Sequence, residues 1–475
     1  MIPQTTSRVD LHVHSTASQL AKLGVQRALG LPECATPPEE AYQLAKRRGM
    51  DFVTLTDHDT IAGALELADR HDDAFVSVEL TCRFRGESQA VHVLCYGITP
   101  DRFARLQERS GDVEAVAEEL HEHGIACALA HPFFAVEAPL LARHRRRLAR
   151  LFGVWETRNG SRARELNAPA AVYVETHGGV GIAGSDDHAG VDIGRTFTET
   201  PPAATWQEFL GHLRAGHTTP RGEQGSAAKW AHAAMAVSAR VYGADRAGAL
   251  DPDPTAVLTM VERVMSEGGH RARDARGLPR HGAIGADLGP ADARALLHAW
   301  LQAVELDMGP RELLSMLQDE SFSHAALFRR ARRCHERKLA GTVHATLAAT
   351  RTDQLDLPAT AIGLFDACVA AIPYAPAAAF LGREKAKLAQ REGEPLRVAL
   401  VADAVGAMHG VTHTLDELRE RGVPGFEVEV VGTDPNVDRR LSAVAEVDIP
   451  FYAGLEVGVP SLPAVVETLA EGRYD

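Results

Sequence analysis

The chain of 475 residues lacks the features of a secreted or membrane-spanning protein. Its six cysteines are scattered and form no C-x-x-C pair, which is typical of reduced thiols in the cytoplasm. The N-terminus has no charged region followed by an apolar stretch, so no secretory signal is visible. The apolar stretch 360–382 is interrupted by Asp366, Pro373 and Pro376, whereas a spanning helix needs about 20 uninterrupted apolar residues. We therefore predict a cytoplasmic protein with no transmembrane segment.

An excess of positive charge is also missing, since the formal net charge is −14. A protein that mainly binds nucleic acid needs a basic surface for the phosphate backbone, so we expect no nucleic-acid partner. A small anionic substrate remains compatible with this charge, because bound divalent metals reverse the local field. Hydrophobic residues at 45% and charged residues at 24% are ordinary for a globular protein, and the length predicts two to four domains.

Short β-type runs alternate with helical patterns over residues 1–222. This alternation predicts parallel strands with helical crossovers. About seven strands are predicted, beginning near Val9, Phe52, Phe75, Val91, Ala126, Val154 and Gly181. Polar residues gather at the C-terminal ends of these strands, where α/β barrels place their active sites. The predicted fold class is therefore α/β, with a closed or nearly closed barrel.

Histidines and carboxylates recur at the ends of the apolar runs. The first group is Asp10-Leu11-His12-Val13-His14. Later runs end at Asp57, His58, Asp59, Glu79, His92, His131, Glu156, Asp186, Asp187 and His188. Imidazoles and carboxylates that converge at strand ends suit a polynuclear site for a borderline-hard divalent metal, which favours metal-assisted hydrolysis. We assign the histidines in charged helical surroundings to the surface: His71, His121, His123, His144 and His177.

Four motifs together resemble the polymerase and histidinol phosphatase (PHP) family. They are Asp10-Leu11-His12-Val13-His14-Ser15, Thr56-Asp57-His58-Asp59, Ala130-His131-Pro132 and Gly184-Ser185-Asp186-Asp187-His188, in the order that the family shows. The resemblance covers residues 1–222. It implies a distorted seven-stranded (β/α)7 barrel that carries up to three metals and hydrolyses phosphoesters.

The resemblance also implies ligands for two or three divalent ions of zinc, manganese or iron: His12, His14, His58, Glu79, His92, His131, Asp186 and His188. Glu79 would bridge a first ion to a second, which His92 and His131 also hold. His58 and His188 would hold a third ion, and the remaining ligands the first.

The sequence departs from the family pattern at this third position. Family members often place Asp or His shortly after the first motif, and here Ser18-Gln19 stands there. A neutral amide is a poor ligand for a divalent ion compared with a carboxylate. We therefore expect the third metal to be weakly held or missing.

The polar residues beside these ligands are assigned supporting roles. Asp10 and Asp57 are predicted to orient neighbouring imidazoles, with plain strand-end capping as the alternative. Asp59 is a candidate acid for the leaving group, and Asp187 is expected to face away from the ligands. Four residues are candidates for binding substrate: Glu156, Arg158, Asn159 and Arg195, the last as a bidentate phosphate clamp. A structural salt bridge would explain Glu156 and Arg158 equally well.

The remainder of the chain divides into two regions by composition. Residues 223–394 are rich in alanine, leucine and arginine, which predicts a mainly helical connector. Residues 395–475 begin a new α/β pattern that resembles the start of a two-Rossmann-domain (GT-B) glycosyltransferase. The resemblance lies in the strand Leu396–Ala402, the loop before the helix at Gly410, and the strand Phe426–Val431. It implies a partial Rossmann-like domain without the second Rossmann domain that mainly holds the nucleotide sugar in that family. If the chain is complete, sugar transfer should fail; if it is a fragment, a longer chain contains the rest of the glycosyltransferase.

The favoured function is hydrolysis of a small phosphomonoester by a PHP barrel fused to a glycosyltransferase. Two rivals would use the same metal cluster, namely a nuclease and an amide hydrolase. A third rival is a metal-stabilised scaffold or regulatory module for the glycosyltransferase. The negative charge weighs against the nuclease, and the ligand set weighs against the scaffold.

Overall fold

A computed structural model describes residues 5–18, 31–242, 290–352, 354–389, 394–402, 410–448 and 456–474. Outside the described residues lie Gln19, all but the last residue of the glycine- and arginine-rich segment 271–290, for which the sequence predicts a loop, and Ala407-Met408-His409 in the loop before Gly410. The chain divides into two compact units, 1–244 with 311–322, and 245–310 with 323–475. The sequence-based domain boundaries at 222 and 394 stay predictions.

The first unit alternates strands and helices. Its strands are β1 Ser7–Val9, β2 Val53–Leu55, β3 Ala74–Arg83, β4 Ala90–Tyr96, β5 Ala126–Leu129, β6 Val154–Asn159, β7 Val180–Gly184, β8 Thr196–Thr200 and β9 Thr219–Gly222. Its helices are α1 Pro38–Arg47, α2 Ala62–Ala68, α3 Pro100–Arg109, α4 Val113–Glu122, α5 Ala142–Leu151, α6 Arg164–His177, α7 Trp206–Arg214 and α8 Ala227–Tyr242. Strands β2 to β7 begin within one residue of the predicted positions.

Helix boundaries in this unit follow local capping chemistry. The side chain of Thr99 accepts a hydrogen bond from Arg102 N at the start of α3, where Pro100 occupies the first turn. Asp112 caps α4 in the same way. Helix α6 ends at Gly178, whose φ of 76° is easily adopted by glycine.

Strands β2 to β7 form a six-stranded sheet in chain order. The pairs β2–β3, β5–β6 and β6–β7 are parallel, but β4 is antiparallel to both β3 and β5. The prediction of uniformly parallel strands is therefore wrong at β4. The connection from Arg83 to Ala90 is too short for a crossover helix and turns back as a hairpin.

A non-strand segment, His12 to His14, joins the two edges of this sheet. On one side Val13 O accepts a hydrogen bond from Thr56 N at 2.7 Å. On the other side His12 O accepts from Asp186 N at 2.6 Å. The strand predicted near Val9 ends before this segment, because β1 pairs antiparallel with β8 in a separate β1–β8–β9 sheet. The sheet is thus a curled half-barrel completed by an irregular segment, which agrees with a distorted barrel.

The core of the half-barrel lies directly beneath the polar strand ends. Phe75, Leu94, Ala128 and Ile182 come from four strands and cluster with Phe209 of α7. Side chains two residues apart on a strand share a face, so the residues that follow these apolar groups lie above the same core.

One histidine assigned to the surface lies inside the protein. His144 on α5 is fully buried, its Nδ1 accepts a hydrogen bond from Leu141 N, and its Nε2 lies 2.7 Å from a Glu87 oxygen. The run of arginines around it suggested a solvated helix face. The partner Glu87 comes from the β3–β4 hairpin, a contact that local sequence does not reveal.

The second unit contains helices and two small sheets. Its strands are β10 Leu396–Val401, β11 Phe426–Gly432, β12 Arg439–Arg440, β13 Ala443–Asp448 and β14 Glu456–Pro460. Helices of the remaining chain are α9 Pro290–Ala303, α10 Pro310–Gln318, α11 His324–Arg351, α12 Leu357–Val369, α13 Tyr374–Ala389, α14 Gly410–Arg421 and α15 Leu462–Gly472. Strands β10, β11 and β12 are parallel, whereas β13 and β14 form an antiparallel pair.

Membrane crossing by one helix receives no support from the described residues. None of their helices is long and apolar enough for a span. The consecutive helices Leu357–Val369 and Tyr374–Leu388 together meet the length and composition test, but they are bent by 62° at their junction.

Candidate metal centre

Glu79 lies at the centre of the polar cluster. It follows Phe75 and Ser77 on the inward face of β3, and its side chain is fully buried. His92 reaches the same region because it shares a face of β4 with Leu94. His131 follows β5 with a φ of 25°, a left-handed backbone that costs a non-glycine residue about 1–3 kcal/mol. Strand alternation and this local strain therefore aim the side chains at one point.

Among the described residues, five imidazoles surround the two Glu79 oxygens. Oε1 lies 2.6 Å from His92 Nδ1 and 3.0 Å from His131 Nε2. Oε2 lies 2.9 Å from His58 Nδ1, and 3.3 Å from the Nε2 atoms of both His12 and His14. One carboxylate is thus shared between two groups of histidines.

Asp186 provides a second buried carboxylate beside the first. Its Oδ1 lies 3.5 Å from His12 Nε2 and 3.4 Å from His14 Nε2. Its φ of 52° is again in the left-handed region. His188 lies next to it, with a side chain one-quarter exposed and its ring stacked on His14 at 4.0 Å between centroids. The cluster therefore reaches solvent at His188.

The geometry fits divalent metal ions. Within the described part of the chain, His12 Nε2, His14 Nε2 and Glu79 Oε2 are buried without a hydrogen-bond partner although they converge. Four overlapping groups have ligand atoms within 4.8 Å of one another: His12–His14–Glu79, His12–His131–Asp186, His58–Glu79–His92 and His14–His58–His188. Nitrogen lone pairs and carboxylate oxygens that face one another without hydrogen bonds are what cations would satisfy.

The charges in the cluster are strongly coupled. Burial alone would raise the pKa of Glu79, but the neighbouring His58, His92 and His12 hold it well below the usual range. Burial alone would lower the pKa of His14, yet the carboxylates of Asp186 and Glu79, which lie 3.4 and 3.3 Å from its Nε2, raise it to about 9. The metal-free centre therefore retains protons on imidazoles that a metal has to displace.

Asp10 and Asp57 bind the chain rather than the imidazoles. Asp10 accepts hydrogen bonds from the backbone N–H groups of His12, Ser185 and Gly194. Asp57 accepts from Ser15 N and from the hydroxyls of Ser15 and Ser18. These contacts match the capping alternative, because the irregular segment 12–18 has backbone donors that no neighbouring strand satisfies.

The imidazole of His12 is oriented by Glu156 instead. Glu156 Oε1 lies 3.0 Å from His12 Nδ1, while Oε2 accepts from His131 N and Asn159 Nδ2. Asn159 also donates to Asp186 Oδ2 at 3.1 Å. Both residues were predicted to bind substrate. In the structure both are fully buried and support three ligand candidates from beneath.

The loop residues Asp59 and Asp187 are also engaged. Asp59 Oδ1 and Oδ2 accept hydrogen bonds from Thr81 N and Thr81 Oγ1. Asp187 accepts backbone N–H groups from residues 189–192 and so orders the loop after the last motif. Its contacts are with this loop, as expected for a side chain directed away from the ligands.

Arg158 and Arg195 form contacts with the surrounding backbone. Arg158 donates to Gly222 O at 2.8 Å. Arg195 donates to the carbonyl oxygens of Asp319 and Phe322 and lies 3.6 Å from an Asp192 oxygen. These hydrogen bonds attach the two guanidinium groups to backbone carbonyls outside the cluster, at Gly222 for Arg158 and at Asp319 and Phe322 for Arg195.

Two side chains at the cluster were missed by the sequence analysis, Arg162 and Glu33. Arg162 NH2 lies 3.1 Å from Asp186 Oδ2, and its guanidinium carbon lies 3.8 Å from the centre of the Phe134 ring. Glu33 Oε1 lies 3.3 Å from His58 Nε2. Arg162 comes shortly after β6, so a search for polar residues that follow predicted strands would have found it. Glu33 follows no predicted strand, and nothing in the sequence around it indicated a role in the site.

Comparisons with known proteins give limited matches. No family model matches the chain. A stretch of 59 residues is 34% identical to an uncharacterized protein, MJ1587, of Methanocaldococcus jannaschii, and covers 12% of this chain and 33% of that protein. The chain thus spans about a third of the length of this curated relative.

Two solved structures of low sequence identity are similar to parts of this chain. One is a two-domain protein of Bacteroides vulgatus that contains a predicted PHP-like metal-dependent phosphoesterase, with 15% identity, a TM-score of 0.36, and coverage of 47% of this chain and 68% of that chain. The other is a lesion-specific endonuclease of Pyrococcus furiosus, with 16% identity, a TM-score of 0.32, and coverage of 66% and 90%. Because these identities and TM-scores are low, the function has to be inferred from the chemistry of the site.

Proposed function

We propose that the half-barrel is a metal-dependent phosphoesterase that hydrolyses a small phosphomonoester. The observation that carries this proposal is the sharing of the buried Glu79 between imidazoles on both of its oxygens. A carboxylate shared in this way suits two neighbouring divalent ions. His12, His14 and Asp186 would hold one ion with Glu79, and the second would be held by Glu79 with two further histidines, His92 and His131.

The protein's own groups provide position and charge. Divalent ions, when bound, supply Lewis-acid chemistry that neutralises phosphoryl oxygens and lowers the pKa of water. Glu156 holds the His12 ring through Nδ1, and Asn159 holds Asp186, so the ligands keep their directions before metal arrives. Preformed ligands of this kind reduce reorganisation during the reaction.

Arg162 supports an anionic substrate. Its side chain is only 10% exposed, and its Nε and NH1 have no hydrogen-bond partner among the described residues. One NH2 contact with Asp186 and the stack on Phe134 hold the guanidinium in place. A fixed guanidinium with donors to spare is suited to bind phosphate oxygens. We therefore assign to Arg162 the phosphate-binding role that was predicted for Arg195.

Asp59 is not part of this proposal. Both of its oxygens are already engaged, because they accept hydrogen bonds from the N–H and the hydroxyl of Thr81.

The test is hydrolysis of a generic phosphomonoester by the purified chain loaded with zinc, manganese or iron. Asp186→Asn should abolish metal-dependent turnover, whereas Asp73→Asn, whose carboxylate binds Tyr42 and Lys46, should not. Arg162→Lys should raise KM by about tenfold or more, because a charged hydrogen bond is worth about 1.5–3 kcal/mol. Arg145→Lys is the matched control, since Arg145 also stacks on a phenylalanine, Phe133.

Other outcomes would favour the rival functions. Cleavage of single-stranded DNA without turnover of phosphomonoesters would favour the nuclease, and cleavage of amides would favour the C–N hydrolase. A folded, metal-loaded chain that hydrolyses none of these substrates would favour the scaffold.

For residues 395–475 we propose the beginning of a glycosyltransferase domain. The support is the parallel register of β10 with β11, in which Leu396 pairs with Phe426 and Val401 with Val431, with α14 between the strands. Strand–helix–strand units of this type start doubly wound folds, although many functions share them. Binding of a nucleotide sugar by a longer chain, measured by calorimetry, would test the proposal.

A further inference from the structure

The imidazole of His58 lies between two carboxylates. Its Nδ1 is 2.9 Å from Glu79 Oε2, and its Nε2 is 3.3 Å from Glu33 Oε1. The side chains of His58 and Glu33 are 7% and 3% exposed. A neutral imidazole carries one N–H, so it can donate to only one of these carboxylates. The other nitrogen then presents its lone pair to an oxygen, an arrangement that a cation would stabilise.

Three histidines adjoin this pair on the solvent side of the cluster. The ligand atoms of His14, His58 and His188 lie within 4.8 Å of one another. Ring centroids are separated by 4.5 Å between His14 and His58, and by 4.0 Å between His14 and His188. Neutral imidazoles contribute no negative charge, so a divalent ion held by them alone would be weakly bound.

Ser18 does not supply the missing charge. Its hydroxyl donates to Asp57 Oδ1 at 3.1 Å and accepts from His58 N at 3.0 Å. It also lies 3.3 Å from His14 Nδ1. The serine thus orders the loops that carry both histidines. Besides the shared Glu79, the carboxylate that contacts His58 among the described residues is Glu33, which approaches from a different segment of the chain.

We propose that Glu33 supplies the carboxylate of a third divalent-metal position, together with His58 and His188. This position differs from the sequence expectation, in which the third ion lacks a carboxylate because Ser18-Gln19 follows the first motif. The mixed imidazole and carboxylate donors suit zinc, manganese or iron. The inference rests on the metal centre of the proposed function but not on hydrolysis, so metal binding alone can test it.

The experiment counts zinc ions bound per chain after dialysis against buffered free zinc of increasing concentration. The wild-type chain is expected to fill two positions tightly and a third at higher free zinc. Glu33→Gln, which keeps the shape of the side chain, should lose the third ion or weaken it by at least tenfold while the first two are unchanged. Glu33→Asp retains the charge at a shorter reach and should bind the third ion with intermediate affinity. Circular dichroism confirms that each variant is folded.

Glu384→Gln is the matched control, because Glu384 is also buried but pairs with Lys387. It should bind zinc like the wild type. A Glu33→Gln chain that binds three ions with wild-type affinity would overturn the inference, as would a wild-type chain that saturates at two. A wild-type chain that binds no zinc would instead contradict the proposed function itself.

Discussion

At the scale of single residues, the ligand directions depend on buried partners that are not ligands. Glu156 contacts the far nitrogen of His12 and the backbone N–H of His131 with different oxygens. Glu156→Gln replaces one of the two acceptor oxygens by an NH2 group. This group then faces either His12 Nδ1 or the N–H groups of His131 and Asn159, which need an acceptor. Loss of such supporting contacts typically weakens metal binding about 10- to 100-fold.

We expect this range for zinc in Glu156→Gln, measured by competition with a chromophoric chelator. Glu199→Gln, in which a surface ion pair with Arg8 and Arg221 is removed, is the control and should bind zinc normally. Unchanged affinity in Glu156→Gln would show that the His12 ring is held by other contacts.

The protonation of His14 predicts a pH dependence for the metal-free protein. Its pKa is raised to about 9 in the folded state, above the ordinary value of about 6.5. The proton is therefore bound more tightly in the folded chain. This contribution to stability is fully present below about pH 6.5 and is lost as the pH rises through about 9.

Chelator-treated protein should accordingly lose thermal stability between about pH 6.5 and 9. Zinc-loaded protein should not, because the ion replaces the proton as the partner of Glu79 and Asp186. Unfolding temperatures measured at several pH values, with and without zinc, test the difference. Parallel curves for the two forms would contradict it.

At the scale of elements, closure of the half-barrel needs close approach of two chain segments. A Cβ atom on Gly184, at the end of β7, would overlap the side chain of His12 and lie 2.6 Å from its backbone N. We expect Gly184→Ala to destabilise folding by about 1–3 kcal/mol, since neither segment can move without breaking its hydrogen bonds. Zinc affinity should fall as well, because His12 is displaced.

Gly211→Ala is the matched control within the same unit. Gly211 lies inside helix α7, and a Cβ there would have no heavy atom within 4 Å. Alanine favours the helix by about 1 kcal/mol over glycine, so this variant should be slightly more stable than the wild type. Urea unfolding of both variants measures the two effects, and equal stabilities would contradict the steric account.

At the scale of the whole molecule, the two units should respond to different perturbations. Metal removal should lower the unfolding temperature of the unit that contains the half-barrel, since bound ligands stabilise only the state that binds them. His335 lies in the other unit, where its Nδ1 donates to Ala367 O and its Nε2 accepts from Leu462 N. His335→Leu leaves both backbone groups without this partner and should destabilise that unit.

Differential scanning calorimetry can separate these effects. A chelator should shift one transition, and His335→Leu should shift another by several degrees, because lost buried hydrogen bonds cost about 1–3 kcal/mol each. If both perturbations shifted a single common transition, the units would unfold as one cooperative body.

The strand ends and the histidine-rich motifs could be predicted from the sequence, because they depend only on the succession of neighbouring residues along the chain. Strand alternation places Glu79 and His92 on the same faces as Phe75 and Leu94, whatever the rest of the chain does. The direction of β4 could not be read in this way, since a hairpin and a crossover differ only in how a short connection folds back.

By itself, the sequence determined which residue types stand at the strand ends, and hence the expectation of a metal-dependent hydrolase. Only the tertiary structure decided their partners. It assigned Glu156 to His12, Asp10 to the backbone N–H of Gly194, Arg162 to Asp186 and Glu33 to His58. The physical reason is that these contacts join residues between 24 and 184 positions apart, so they depend on how the half-barrel closes. The periodicity of the sequence predicts which face of a strand a side chain occupies, whereas the closure of the half-barrel determines which residues that side chain contacts.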